Sequence, residues 1–123
     1  MTLPRRINEN DIAILSRFAQ LLDAPDQDAF LAQLRHATVT RESPGHTSYA
    51  VPSDAPPIRD KGKYALAGSY RDEDGALVDM IVHIAFPEGV LSWSEQYRTD
   101  GGPLQRTRPA PNEITLEKPF SSS

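Results

Sequence analysis

Apolar residues recur every three or four positions in the first third of the chain, and this spacing predicts two helices. The first should run from Glu9 to Leu22 with Asn8 as its N-cap, and the second from Asp26 to His36 with Pro25 near its start. The apolar stripes comprise Ile14, Leu15, Phe18, Leu21 and Leu22 in the first helix and Phe30, Leu31 and Leu34 in the second. Each helix therefore has one face suited to covering a core.

After His36 the apolar period changes from 3.6 to 2, which is typical of strands with one buried face. Turn sequences at Ser43-Pro44-Gly45, Glu73-Asp74-Gly75 and Glu88-Gly89 separate the strands. We therefore predict an α+β fold in which two N-terminal helices pack on one face of an antiparallel β-meander of about five strands. The predicted strands cover about 37–42, 46–51, 64–70, 78–86 and 91–98, and Ile114-Thr115-Leu116 suits a short additional edge strand.

Matching apolar faces across the turns predicts the register. A three-residue Glu73-Asp74-Gly75 loop sets Tyr70 opposite Val78 and Leu66 opposite Val82. A two-residue Glu88-Gly89 loop predicts the following pairs: Phe86 with Leu91, Ile84 with Trp93, Met80 with Tyr97, Asp79 with Arg98, and His83 with Ser94.

This register divides the candidate functional residues between the two faces of the sheet. The polar face is either solvated or a partner-binding surface, and its candidate residues are Asp79, His83, Ser94, Gln96 and Arg98. The face towards the helices carries a candidate ligand pocket formed by Tyr64, Trp93, Glu95 and Tyr97. Glu95 is unusual there, because a carboxylate among apolar side chains must find a partner, reach the rim or accept a raised pKa.

Length, charge and composition narrow the classes of protein to consider. With 123 residues, no cysteine and a net charge of −4, the chain is expected to form a single domain, 1–123, with flexible tails at 1–8 and 118–123. An acidic chain with scattered basic residues is a poor nucleic-acid binder. A signal-peptide core and a membrane-spanning apolar run are both missing from the sequence, so cytoplasm is the expected location.

The sequence contains no pattern that indicates catalysis. His36, His46 and His83 do not have the spacing of metal ligands, and there is no thiol, nucleophile elbow or glycine-rich phosphate loop. We predict no catalytic residue, no metal and no cofactor, and we expect the protein not to be an enzyme.

Several of these segments also resemble a family of small bacterial proteins known only as a domain of unknown function. The shared motifs are a D-x-D-G turn, here Asp72-Glu73-Asp74-Gly75, and an L-S-x-x-E-x-Y-R strand ending in a D-G turn, here Leu91 to Arg98 followed by Asp100-Gly101. The resemblance spans about residues 5–116 and implies the fold, without an activity. It draws attention to Glu95 and Arg98, which match motif positions.

Two hypotheses for the function follow. The first is a non-enzymatic binding protein of the bacterial cytosol, in its most concrete form an immunity or antitoxin-type inhibitor that occludes a protein toxin by direct contact. The second is a small-molecule-binding domain or an enzyme without recognisable motifs, with its pocket around Glu95, Trp93 and Tyr97.

Overall fold

The computed structural model describes residues 2–117, which form two α-helices and seven strands. The helices are α1 (Glu9–Phe18) and α2 (Ala24–His36), and a 3₁₀ turn at Ala19–Leu21 follows α1. The strands are β1 (Arg5–Arg6), β2 (Thr38–Ser43), β3 (His46–Ala50), β4 (Ala65–Arg71), β5 (Leu77–Ala85), β6 (Val90–Arg98) and β7 (Thr115–Leu116).

Both predicted helices are present, and their ends have local causes. Asn8 caps α1, because its Oδ1 accepts the Asp11 amide at 2.8 Å. The helix tightens into the 3₁₀ turn at Ala19, so the predicted helical segment ends close to Leu22 as expected. Helix α2 begins at Ala24, with Pro25 in its first turn, where a missing amide proton costs nothing.

The sheet is antiparallel throughout, in the order β1-β2-β3-β6-β5-β4-β7. The predicted α+β fold is therefore confirmed, but with seven strands rather than about five. Strands β4 to β6 form the meander, and the β2–β3 hairpin joins it beside β6. The two additional strands are both short: β1 comes from the segment expected to be a tail, and β7 pairs with Gly68 and Ser69. The predicted tail at 118–123 lies outside the described residues.

One face of the sheet, which we call the inner face, packs against both helices. It carries Val78, Met80, Val82 and Ile84 from β5, all buried, and they share one core with Phe18, Phe30 and Leu34 from the helices. The opposite, outer face carries side chains that are half-buried or exposed, among them Asp79, Ile81, His83, Trp93, Glu95 and Tyr97.

The register predicted for β4 and β5 is confirmed, because Leu66 lies opposite Val82 and Tyr70 opposite Val78. The register predicted for β5 and β6 is wrong. The connecting loop comprises Phe86, Pro87, Glu88 and Gly89, so Ala85 pairs with Val90.

A β-bulge in β6 then changes the alternation. His83 lies opposite Trp93 and Ile84 opposite Leu91, so Ser92 is an extra residue with no partner of its own. Beyond the bulge, Ser94 lies opposite Val82 and therefore faces the helices. Gln96 and Arg98 follow on the inner face, opposite Met80 and Val78, while Trp93, Glu95 and Tyr97 turn to the outer face.

The buried amide of Gln33 in α2 links the helix layer to the start of β6. Its Oε1 accepts the Leu91 amide at 2.9 Å, beside the bulge. Its Nε2 donates to the Gly89 carbonyl at 2.9 Å and to the Pro56 carbonyl at 2.8 Å. Asp26 at the other end of α2 accepts the Arg59 and Asp60 amides, so two polar residues of one helix fix the proline-rich segment 52–60.

We expect Gln33→Met, which keeps the side-chain volume but removes all three hydrogen bonds, to lower the free energy of unfolding by about 2–3 kcal/mol. The main cost arises because the buried Leu91 amide loses its only side-chain acceptor, whereas the Gly89 carbonyl still accepts the Ile58 amide at 2.8 Å and Pro56 is exposed to solvent. Gln27→Met is the matched control, since Gln27 makes one hydrogen bond, to the Leu22 carbonyl, at a half-buried site in the same helix. The control should cost about 1 kcal/mol or less in urea denaturation. Equal losses in the two variants would contradict this account of Gln33.

Candidate functional site

The bulge separates the residues that the sequence placed together. Of the predicted partner-binding set, Asp79 and His83 lie on the outer face, whereas Ser94, Gln96 and Arg98 lie on the inner face. The predicted His83–Ser94 and Asp79–Arg98 pairs are therefore wrong, because their members are on opposite faces of the sheet. The predicted pocket residues Trp93, Glu95 and Tyr97 are on the outer face, away from the helices.

Trp93 is the centre of an aromatic stack on the outer face. The His83 ring from β5 lies 3.6 Å from the Trp93 ring, centroid to centroid, with an angle of 12° between the planes. The His46 ring from β3 lies at 5.1 Å and 20°. The stack thus spans three neighbouring strands, β3, β6 and β5, and holds the indole between two imidazoles. His46 was not singled out from the sequence, because the pairing of β3 with β6 could not be read from local alternation.

Glu95 is not a carboxylate in the core. It lies opposite Ile81 on the outer face, and its Oε1 is 3.2 Å from His83 Nε2. Its side chain is one-third exposed, at 33%. The unusual position inferred from the sequence therefore arose from the register, and the carboxylate has both solvent and a hydrogen-bond partner.

Next to this stack, the outer face has a cleft of about 290 Å³, which we call the outer cleft. Tyr64 and Tyr97 line it and are 63% and 45% exposed, high values for such large side chains. Ala65, Ala67 and Ile81 also line it, and Asp79 and Glu117 supply carboxylates. Partial burial and the charges of Asp79, Glu95 and Glu117 raise the pKa of Tyr97. The outer cleft therefore combines aromatic surface with negative charge.

Arg98 lies in a cluster of three aspartates at the end of β6. Its guanidinium, on a side chain only 8% exposed, lies 3.3 Å from Asp72, 2.9 Å from Asp74 and 2.7 Å from Asp100. Asp72 also accepts the Gln105 amide at 3.0 Å. Burial alone would raise the pKa of Asp72, but the hydrogen bonds from the backbone amides and the Arg98 charge lower it. This cluster fastens the 99–105 segment to the β4–β5 turn.

Ser94 and Gln96 line a second cleft, on the inner face. Ser94 is buried, and its Oγ lies 2.9 Å from the Tyr49 hydroxyl. Sequence reasoning missed Tyr49 as a site residue. The strand predicted at 46–51 contains Tyr49, but nothing in the sequence indicated the space beside its side chain.

Metal-binding groups and a serine–histidine pair are the catalytic arrangements to consider in the described residues. Within 2–117, no group of three or more His, Asp or Glu side chains is arranged to hold a metal ion. His83 and Glu95 are hydrogen-bonded on the outer face, whereas Ser94 lies on the inner face, so His83 cannot activate Ser94 as a nucleophile. No helix in the part of the chain that the structure describes has the length and apolar composition needed to cross a membrane.

Comparisons of the chain with protein-family models, curated proteins and solved structures find no match. The resemblance based on the two motifs therefore stays a prediction, and the function must be inferred from the geometry of the chain itself.

The Arg98 cluster predicts a specific response to acid. Two hydrogen bonds, one from the Arg98 guanidinium and one from the Gly102 amide, lower the pKa of Asp100 to about 2. An aspartate in an unfolded chain titrates near pH 3.9, so the stability that Asp100 contributes is present above about pH 4 and is lost as the pH falls towards 2. We expect Asp100→Asn to lower Tm at pH 6 and to have little effect at pH 2.

Thermal melts followed by circular dichroism between pH 2 and 6 would measure this difference. Asp54→Asn is the control, because Asp54 is exposed and makes no ion pair within the described residues. A Tm difference for Asp100→Asn that is the same at pH 6 and pH 2 would show that the ion pair is not its cause.

Proposed function

We propose that this chain is a non-enzymatic binding protein whose outer face docks on a basic surface of another protein. The observation that carries the proposal is the outer cleft, with its two tyrosines and two carboxylates, beside the stack of Trp93 between His46 and His83. Both helices pack on the inner face, so these groups are free to meet a partner.

The aromatic groups supply the contact area. Tryptophan and tyrosine dominate the energetics of protein interfaces, because they bury large surfaces and lose little conformational entropy. Trp93 is already held by rings on both sides, so docking would immobilise it little further. Tyr97 and Tyr64, which line the outer cleft beside the stack, also retain exposed ring surface.

The charges select the partner. Asp79 and Glu117 line the outer cleft, Glu95 lies close to Tyr97, and the whole chain carries a net charge of −4. A lysine or arginine side chain entering the cleft would meet carboxylates and the faces of aromatic rings, and both attract a cation. An acidic side chain would be repelled, so the face favours a basic partner.

The most specific form of this proposal is an immunity or antitoxin-type protein of the bacterial cytosol that inhibits a basic protein toxin by covering its surface. A small acidic domain with one open sheet face fits that role, since inhibition by occlusion needs a rigid complementary surface and no catalytic group. The alternative is a small-molecule pocket around Glu95, Trp93 and Tyr97. These residues lie on the outer face, so such a pocket would coincide with the outer cleft and would not lie beneath the helices.

The charge selection can be tested with two blocked tripeptides that differ only in their central residue, arginine or its uncharged analogue citrulline. We expect the arginine peptide to shift the NMR resonances of Tyr97 and Asp79, with an affinity roughly tenfold or more above that of the citrulline peptide. Asp79→Asn should weaken arginine binding, and Asp54→Asn should leave it unchanged. Equal binding of the two peptides would contradict the proposed recognition of a cation.

The partner itself can be sought by co-purification from the host with the intact chain and with a Trp93→Ala/Tyr97→Ala variant. We expect a basic protein that is retained by the intact chain and lost with the variant. Co-expression should then protect cells from that protein only when Trp93 and Tyr97 are present. A protein retained equally by both chains would not bind through the outer face, and failure to protect would refute the inhibitor role alone.

A further inference from the structure

A second cavity, on the opposite side of the sheet from the outer cleft, has a different chemical character. This inner cleft has a volume of about 320 Å³ and opens between α1, the β2–β3 hairpin and the segment around Thr107 and Arg108. Ile14, Leu15 and Met80 form an apolar wall, and Thr47, Tyr49 and Ser94 contribute hydroxyl groups.

The inner cleft exists because of the bulge at Ser92. Beyond that residue, β6 presents Ser94 and Gln96 to the helices, opposite Val82 and Met80. In an unbroken alternation, Trp93 and Glu95 would take these two positions, and the indole would fill the space. The serine that stands there is small, so room remains between the sheet and α1. Bulges commonly redirect side chains next to functional sites.

The polar groups of the inner cleft leave one strong acceptor open. Gln96 Nε2 donates to the Tyr70 hydroxyl at 2.9 Å and to the Thr107 carbonyl at 2.7 Å, so both of its protons are used. Its Oε1 has no hydrogen-bond partner among residues 2–117 and is not a buried atom. Tyr49 and Ser94 bond to each other at 2.9 Å, and burial raises the pKa of Tyr49, so its hydroxyl is neutral.

The charged groups at the rim cancel one another. Asp11 lies 3.4 Å from Arg5 and 3.0 Å from Arg108, and Glu42 lies 2.6 Å from Arg5 and 3.6 Å from Arg108. Asp11, Glu42 and Arg108 line the cleft, and Arg5 neutralises the two carboxylates without lining it, so two carboxylates and two guanidinium groups form one ion-paired cluster. Neither an anion nor a cation would gain a net attraction there, and either would lose its hydration on entering.

From this geometry we propose that the inner cleft binds an uncharged small organic molecule, which donates a hydrogen bond to Gln96 Oε1 and places an apolar edge against Ile14, Leu15 and Met80. The volume is at the lower end of the range for ligand sites, and the combination of an apolar wall with few converging polar groups is typical of them. This site is independent of the outer face, so either proposal can fail without the other.

Three probes of nearly the same shape test the charge requirement: benzamide is neutral, benzoate is an anion and benzamidine is a cation. We expect benzamide to cause saturable shifts of the amide resonances of Ser94 and Gln96 in titrations of the full chain. Benzoate and benzamidine should each bind at least about tenfold more weakly than benzamide. The proposal is wrong if an ionic probe binds as well as benzamide, if shifts map to the outer face, or if none of the probes saturates at about 10 mM, the weak limit expected for fragments.

A substitution that fills the inner cleft provides the second test. Ser94→Leu should abolish the benzamide shifts, and Ser69→Leu, the same exchange on β4 at a half-buried outer-face position opposite Asp79, should leave them unchanged. If Ser94→Leu does not fold, Thr47→Leu narrows the same cleft from the β2–β3 hairpin. Full benzamide binding in a folded variant of either kind would overturn the proposal.

Discussion

The contact between Gln33 and Leu91 determines much of the rest of this structure. A bulge leaves the ladder locally disrupted, and here the Leu91 amide beside it is satisfied at 2.9 Å by a buried side chain from α2. Because side chains alternate with a period of two, the one extra residue at Ser92 exchanges the two faces for the remainder of β6. The aromatic stack on one side and the polar cleft on the other both follow from that exchange.

The motifs that carried a resemblance to a bacterial family have a structural explanation. Asp72 and Asp74 of the D-x-D-G turn and Asp100 of the final turn all contact Arg98, the last residue of the longer motif. Residues far apart in the sequence thus form a single ion cluster that closes the end of the sheet. The motif residues thus join the β4–β5 turn to the end of β6 through ion pairs.

Local alternation and turn chemistry were sufficient to predict the helices, the β4–β5 register and the layer arrangement, because each depends on residues close in sequence. They failed at the β5–β6 hairpin, where the loop includes Phe86 and the bulge depends on Gln33, 58 residues from Leu91. Strand β1 has two residues, too few to give a periodic signal, whereas β7 corresponds to the short edge strand predicted at Ile114-Thr115-Leu116. The one sequence signal of the error was Glu95, because a carboxylate at a position predicted to be apolar indicated a change of register.

The exchange of faces has a cost, and its size bears on function. An unbroken β6 would place Trp93 and Tyr97 beneath the helices, where each aromatic side chain would bury more surface than it does now. The same register would place the Glu95 carboxylate opposite buried Met80, and an unpaired buried charge is strongly destabilising. The bulge leaves Tyr97 45% exposed and places Ser94 in the core instead. The bulge therefore stabilises the fold by keeping Glu95 out of the core, and it costs part of the burial that Trp93 and Tyr97 would otherwise gain. An outer face that presents tyrosine and tryptophan beside carboxylates, and an inner face with an open polar cleft, are features that binding would maintain against that cost.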